Sequence, residues 1–161
     1  MRRFIKYLTF ASCWVIASAV MPSARMAASD LRVFDAVGQE IGVLLEHAAV
    51  VMQVSNLWVD VVITEGGFFE SGQETLTFYY NSNNCSGTRY MLANSMTRHG
   101  VRFSNSIYYP AGTATTFVPG TYRRSTDGFV CNTTFNPSSN SFAEASSFAM
   151  SHWVPPFIIS R

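Results

Sequence analysis

The feature that most constrains this 161-residue chain is a period of two. From Thr75 to Tyr80 the sequence reads TLTFYY, which places Leu76, Phe78 and Tyr80 on one face of an extended strand and Thr75, Thr77 and Tyr79 on the other. Short runs rich in β-branched and aromatic residues recur along the chain: LRVFD, EIGVLLEH, AAVVMQVS, LWVDVVIT, TRYMLA, SNSIYYP, TFVPGTYRR and GFVCNTTF. Turn chemistry separates them. Asp35-Ala36-Val37-Gly38 carries Asp first and Gly fourth, the preference of a type I turn. Ser55-Asn56 divides two apolar runs that read as one largely buried hairpin. Asp127-Gly128 is a two-residue hairpin signal, because a type I′ turn needs positive φ at both central positions. Further breaks are expected at Glu65-Gly66-Gly67, Arg98-His99-Gly100, Pro110-Ala111-Gly112 and Pro119-Gly120. Gly42 reads as a bulge or a point of close backbone approach. The run SFAEASSFAMSHW suits a helical turn or a strand, with strand preferred, and Pro155-Pro156 suits an edge strand or an extended tail. The expected fold is mostly β: a single antiparallel sandwich or barrel with little helix.

The first residues point to export. Arg2, Arg3 and Lys6 precede an uncharged, mostly apolar run of 13 residues, Leu8 to Val20, which matches a signal-peptide core and is short for a membrane span. Residues 1–28 are read as the signal, with cleavage after Ala19 as the alternative, and residues 29–161 as one β-rich domain. Export would place the mature chain in the periplasm or outside the cell and leave no membrane span in it. Cys13 leaves with the signal, so Cys85 and Cys131 remain. An even count in an oxidising compartment favours a disulfide between them. Gly87 then serves the tight turn leaving Cys85.

Charge excludes one class of partner. Without residues 1–28, eleven Lys and Arg fall to seven while all ten acids stay, so the mature chain is about −3. A nucleic-acid ligand would want a strongly basic face, and none is expected. Eight of the acids lie between Asp30 and Glu74, and six arginines follow Cys85. Two halves of opposite sign, with the apolar hairpin Ala48–Ile63, leave room for self-association.

Three segments carry a resemblance: DAVGQEIG from Asp35, FYYNSNNCSGTRYM from Phe78, and VPPF from Val154. Together they resemble a group of small, uncharacterised secreted bacterial proteins with the motifs D-x-x-G-x-x-[IV]-G, an aromatic strand leading to C-x-G-x-x-Y, and a C-terminal P-P-F. The resemblance implies a β-rich exported domain of bacterial origin. It assigns no catalytic residue, cofactor or ligand.

The residues themselves offer little catalytic chemistry. There is no C-x-x-C or H-x-x-x-H spacing for a metal, no G-x-S-x-G elbow, and no recognisable partner for a nucleophilic cysteine among His47, His99 and His152. Neither a metal nor a cofactor is expected. Glu65, Glu70 and Glu74 would serve a small secreted hydrolase if a loop held two of them at a working separation. Trp58, Tyr79, Tyr108, Tyr109 and Tyr122 would serve a carbohydrate-binding module if they formed an exposed stacking platform. The leading reading is a non-enzymatic exported module acting in binding or surface assembly, with a glycan or a protein as partner.

Overall fold

The computed structural model describes residues 31–45, 48–69, 75–94, 96–133 and 139–161. The signal segment, Glu46, His47, Glu70 and Glu74 lie outside them.

Strands are numbered in chain order. The first half supplies β1 (Arg32–Phe34), β2 (Glu40–Leu44), β3 (Ala49–Val54), β4 (Leu57–Thr64) and β5 (Gly67–Phe68). Then come β6 (Thr77–Tyr80), β7 (Tyr90–Leu92), β8 (Arg98–His99), β9 (Val101–Phe103) and β10 (Ser106–Phe117). The last are β11 (Thr121–Arg124), β12 (Asn132–Thr133), β13 (Asn140–Ala149) and β14 (Ile158–Ser160). They form two sheets, mostly antiparallel as the alternation predicts. One runs β14-β1-β2-β3-β4-β5, with β8 lying parallel to β4. The other runs β12-β11-β6-β7-β13-β10-β9. No helix among the described residues is long and apolar enough to cross a membrane.

Local chemistry explains the first sheet. The Gly38 amide donates to the Asp35 carbonyl at 3.0 Å, closing the turn between β1 and β2 with Gly38 at φ 83. Gly42 is a close approach: a Cβ there would sit 2.3 Å from the Val51 carbonyl oxygen on β3. The β3–β4 hairpin turns at Ser55-Asn56, with Ser55 at φ 56. On β4 it is half-buried rather than largely buried. Val59, Val61 and Ile63 point inward, while Trp58 and Thr64 face out.

The second sheet curls. Phe78 on β6 and Tyr108 on β10 belong to strands three steps apart, yet their rings are 5.6 Å between centroids. A flat sheet would separate them by about 14 Å at roughly 4.8 Å per strand. Both faces of this sheet are therefore occupied. Ile107, Tyr109 and Phe148 point from it toward Val33, Val50, Val59 and Val61 of the first sheet, forming the sandwich core. Leu76, Phe78, Tyr80, Cys85, Met91 and Val101 fill the concave side as a second core. Alternation along β10 feeds both, because Ile107 and Tyr109 serve one core and Tyr108 the other.

Three local expectations are corrected. Pro110-Ala111-Gly112 does not end a strand. β10 runs through it, and the extra residues are absorbed by a register shift between Ala111 and Thr115, with Gly112 at φ 70. Asp127-Gly128 is not a two-residue hairpin. Ser125–Asp127 forms a 3-10 turn ending on Gly128 at φ 62, because Asp127 is held back by Arg124 at 2.9 Å and the Ser125 hydroxyl accepts the Leu76 amide. Arg98-His99 is not a break but β8, fastened to β4 by a 2.8 Å contact between His99 Nδ1 and Asp60. The run from Asn140 to Ala149 is strand, as preferred, followed by a single 3-10 turn.

A buried carboxylate joins the two ends of the described chain. Asp35 is 1% exposed. One of its oxygens accepts the Val37 and Gln39 amides at 3.0 and 2.8 Å, and the other accepts the Val154 amide at 3.1 Å. The Ala36 amide adds a 2.7 Å bond to the Val154 carbonyl. Burial pushes the Asp35 carboxyl up, but the amides of Gln39, Val154, Val37 and Gly38 outweigh it and hold it below the ordinary 3.8. A depressed folded value means stability that is present above the unfolded value and is lost as pH falls through the folded one. Asp35→Asn is therefore expected to lower the urea midpoint at neutral pH and to flatten its decline below about pH 4. Urea titrations at several pH values check this, and a variant with a decline as steep as that of the parent contradicts it.

Candidate functional site

The concave side of the curled sheet opens into a cleft of about 200 Å³. Phe78, Tyr108, Phe103 and Phe129 line it, along with Arg89 and Arg123. Strand alternation aims each wall residue. On β11, Arg123 lies opposite Phe78 in the ladder and shares its face, while Arg124 and Tyr122 alternate with it. Arg89 precedes β7 and lays its guanidinium over the Phe78 ring, 5.1 Å from the centroid.

Phe129 bridges the opening. Its ring stacks on Phe78 at 5.9 Å and 24°, and meets Phe103 of the opposite edge strand β9 edge-on at 5.1 Å. The backbone is in the left-handed region at φ 59, which costs a residue with a Cβ on the order of 1 kcal/mol. A bond from its amide to the Arg124 carbonyl at 2.8 Å holds it there. The disulfide joins Cys85 to Cys131, two residues beyond Phe129, with Cα atoms 5.8 Å apart. Around it the Cys85 amide donates to the Thr121 hydroxyl, which donates in turn to the Ser82 carbonyl at 2.8 Å. The two cysteines are thus spent on tying the rim. Gly87 leaves the bridge at φ 88, as its turn role predicts.

Electrostatically the cleft is one-sided. Among the described residues neither Arg89 nor Arg123 has an ion pair, and the Arg123 Nε is buried without a hydrogen-bond partner. The acids of this sheet are directed elsewhere. Asp127 is paired with Arg124, and Glu144 lies opposite Tyr90, on the face away from the cleft. No group of three His, Cys, Asp or Glu able to hold a metal occurs among the described residues.

The stacking residues expected from sequence are dispersed. Trp58 is 52% exposed on the outer face of the first sheet. Tyr109 is buried in the sandwich core, and Tyr108 faces the cleft. Tyr79 and Tyr122 are ladder partners on the opposite face, joined by Tyr90 on β7. Burial there raises the Tyr79 phenol above its ordinary value, against an opposing pull from Arg124. Glu65 sits exposed in a turn, and its carbonyl accepts the Phe157 amide at 3.0 Å. Sequence reasoning missed Arg89, Arg123, Phe103 and Phe129. The signal was present for one of them: adjacent Arg123 and Arg124 on a strand must face opposite ways, so one arginine had to point inward.

No family model, curated protein or solved structure matches the chain.

Cys85 and Cys131 are 46 residues apart, and closing such a loop stabilises the fold by roughly 4 kcal/mol in the chain-entropy model. Replacing both with Ser is expected to lower the unfolding free energy by about that amount. Thiol titration of unreduced, denatured mature chain should find no reactive equivalent, and guanidinium unfolding of the double variant gives the energy.

Proposed function

We propose that this chain is an exported, non-enzymatic binding module whose ligand site is the cleft in the curled sheet. The observation that carries the reading is the Arg123 Nε, a buried donor without a partner in the wall of an open aromatic cleft. A buried polar group left unsatisfied costs about 1–3 kcal/mol, and a water, an ion or a ligand in the cleft would relieve that cost. Cleft position agrees, since ligand sites gather in the mouths of curled and closed β sheets. The described lining residues bring rings and guanidinium groups, chemistry suited to holding a molecule rather than cleaving one.

Export is supported by the basic and apolar start of the chain and by a disulfide at the rim of the cleft. The resemblance to small secreted bacterial proteins would imply the same setting. The first and third of its motifs meet here, through Asp35 and Val154.

Amide-resolved NMR on the oxidised mature chain tests the site. A mixture of single-ring aromatic compounds at millimolar concentration is expected to shift amides around Phe78, Tyr108, Arg123 and Phe129. Shifts confined to Trp58, or to Tyr79 and Tyr122, would overturn the assignment in favour of a stacking surface for sugars. After expression in a bacterium, mass spectrometry of the periplasmic fraction should find the chain with a first residue of 20 or 29, and chain confined to the cytoplasm with an intact Met1 would contradict export.

A further inference from the structure

We propose that the ligand of the cleft is a small amphipathic carboxylate, with an apolar body about the size of one aromatic ring and one carboxylate head. The inference rests on the cleft being the binding site and goes beyond it by naming what binds. Size comes first. A cavity of about 150 Å³ lined by apolar side chains admits benzene. The volume of about 200 Å³ here leaves room for one ring and a short charged substituent, and is too small to enclose an oligosaccharide.

Shape and charge set the rest. Phe78 and Phe129 stack nearly parallel on each other, and Tyr108 meets Phe78 at 74°, so the walls around the open volume are aromatic and suit an apolar ring. Arg89 and Arg123 stand over and beside Phe78, at the same end of the cleft. A guanidinium fork matches the two oxygens of a carboxylate, and this charge-assisted pairing is about twice as strong as a neutral hydrogen bond. The uneven charge of the sequence acquires a meaning in this arrangement. Glu40, Asp60 and Glu65 lie on the first sheet or its turns, while Arg89 and Arg123 converge inside the second. An amine or a cationic ligand would meet two uncompensated positive charges.

The test uses the oxidised mature chain and three probes of one shape: 3-phenylpropionate, 3-phenylpropanol and 2-phenylethylamine, each titrated by calorimetry and by NMR. The carboxylate is expected to bind at least about tenfold more tightly than the alcohol, with no binding of the amine, since a charge-assisted pair adds more than the 1.4 kcal/mol that tenfold requires. Arg123→Met should abolish that preference while leaving the alcohol unaffected. It should also unfold at a temperature no lower than the parent, because it deletes an orphaned donor rather than a bond. Arg89→Gln, at an exposed position, should reduce the preference independently. Equal binding of alcohol and carboxylate, or a preference that survives both substitutions, would overturn the carboxylate and leave the cleft as a binding site. Failure of all three probes to shift any residue of the cleft would overturn both.

Discussion

A sheet that is apolar on both faces has to be covered twice, and the rest of this structure follows from how the second sheet meets that demand. Its convex side is covered in the usual way, by another sheet packed against Ile107, Tyr109 and Phe148. For the concave side no third layer is present among the described strands. The sheet covers itself by curling until Phe78 reaches Tyr108 and Phe129 reaches Phe103. Curling makes the second core small and leaves it open at one end. Arg89 stands exposed at the cleft, where water reaches its guanidinium, while Arg123 keeps its Nε buried in the wall.

The disulfide and the Asp35 carboxylate do the same job on different sheets. Each fixes a segment that strand pairing alone holds weakly. β12 has two residues and β14 three, too few hydrogen bonds to hold a chain end by themselves. Cys131 anchors the approach to β12, and the amide of Val154 anchors the approach to β14. Burying a carboxylate is costly unless hydrogen bonds replace its water, and here three backbone amides do so. Such a site discriminates by geometry, since Glu would place its oxygens one methylene further out. That geometry accounts for Asp at the first position of the turn and for a fixed distance in space, though not in sequence, to the C-terminal prolines.

The parts of the fold that were legible depended on neighbours in sequence. TLTFYY alternates as read, DAVG turns as read, and Gly42 lies against the Val51 carbonyl, where no side chain fits. Cysteine arithmetic found the bridge because only one pairing was available after Cys13 was set aside. What could not be read was curvature. Alternation states that Tyr108 and Tyr109 face opposite ways, but not which of them is core and which lines a cleft. Proline and glycine at 110–112 look the same in sequence whether they end a strand or bulge it, and here the long partner β13 continued the ladder past them. The cleft escaped detection for the same reason. Arg89, Phe103, Arg123 and Phe129 come from four separate segments, and only the closing of the sheet brings them together.

Curling has one more consequence. A seven-stranded open sheet would normally present two unpaired ladders, each a template for a second copy of the chain. Here the terminal strands are β9, three residues long, and β12, two residues long, and the ring of Phe129 draws the two borders toward each other. Beside β9 the ladder of β10 is paired at Ser106, Ile107 and Tyr108, so the short border strands narrow the free edge without closing it. Drawing the two borders together thereby limits the length of edge that a second copy of the chain could pair with.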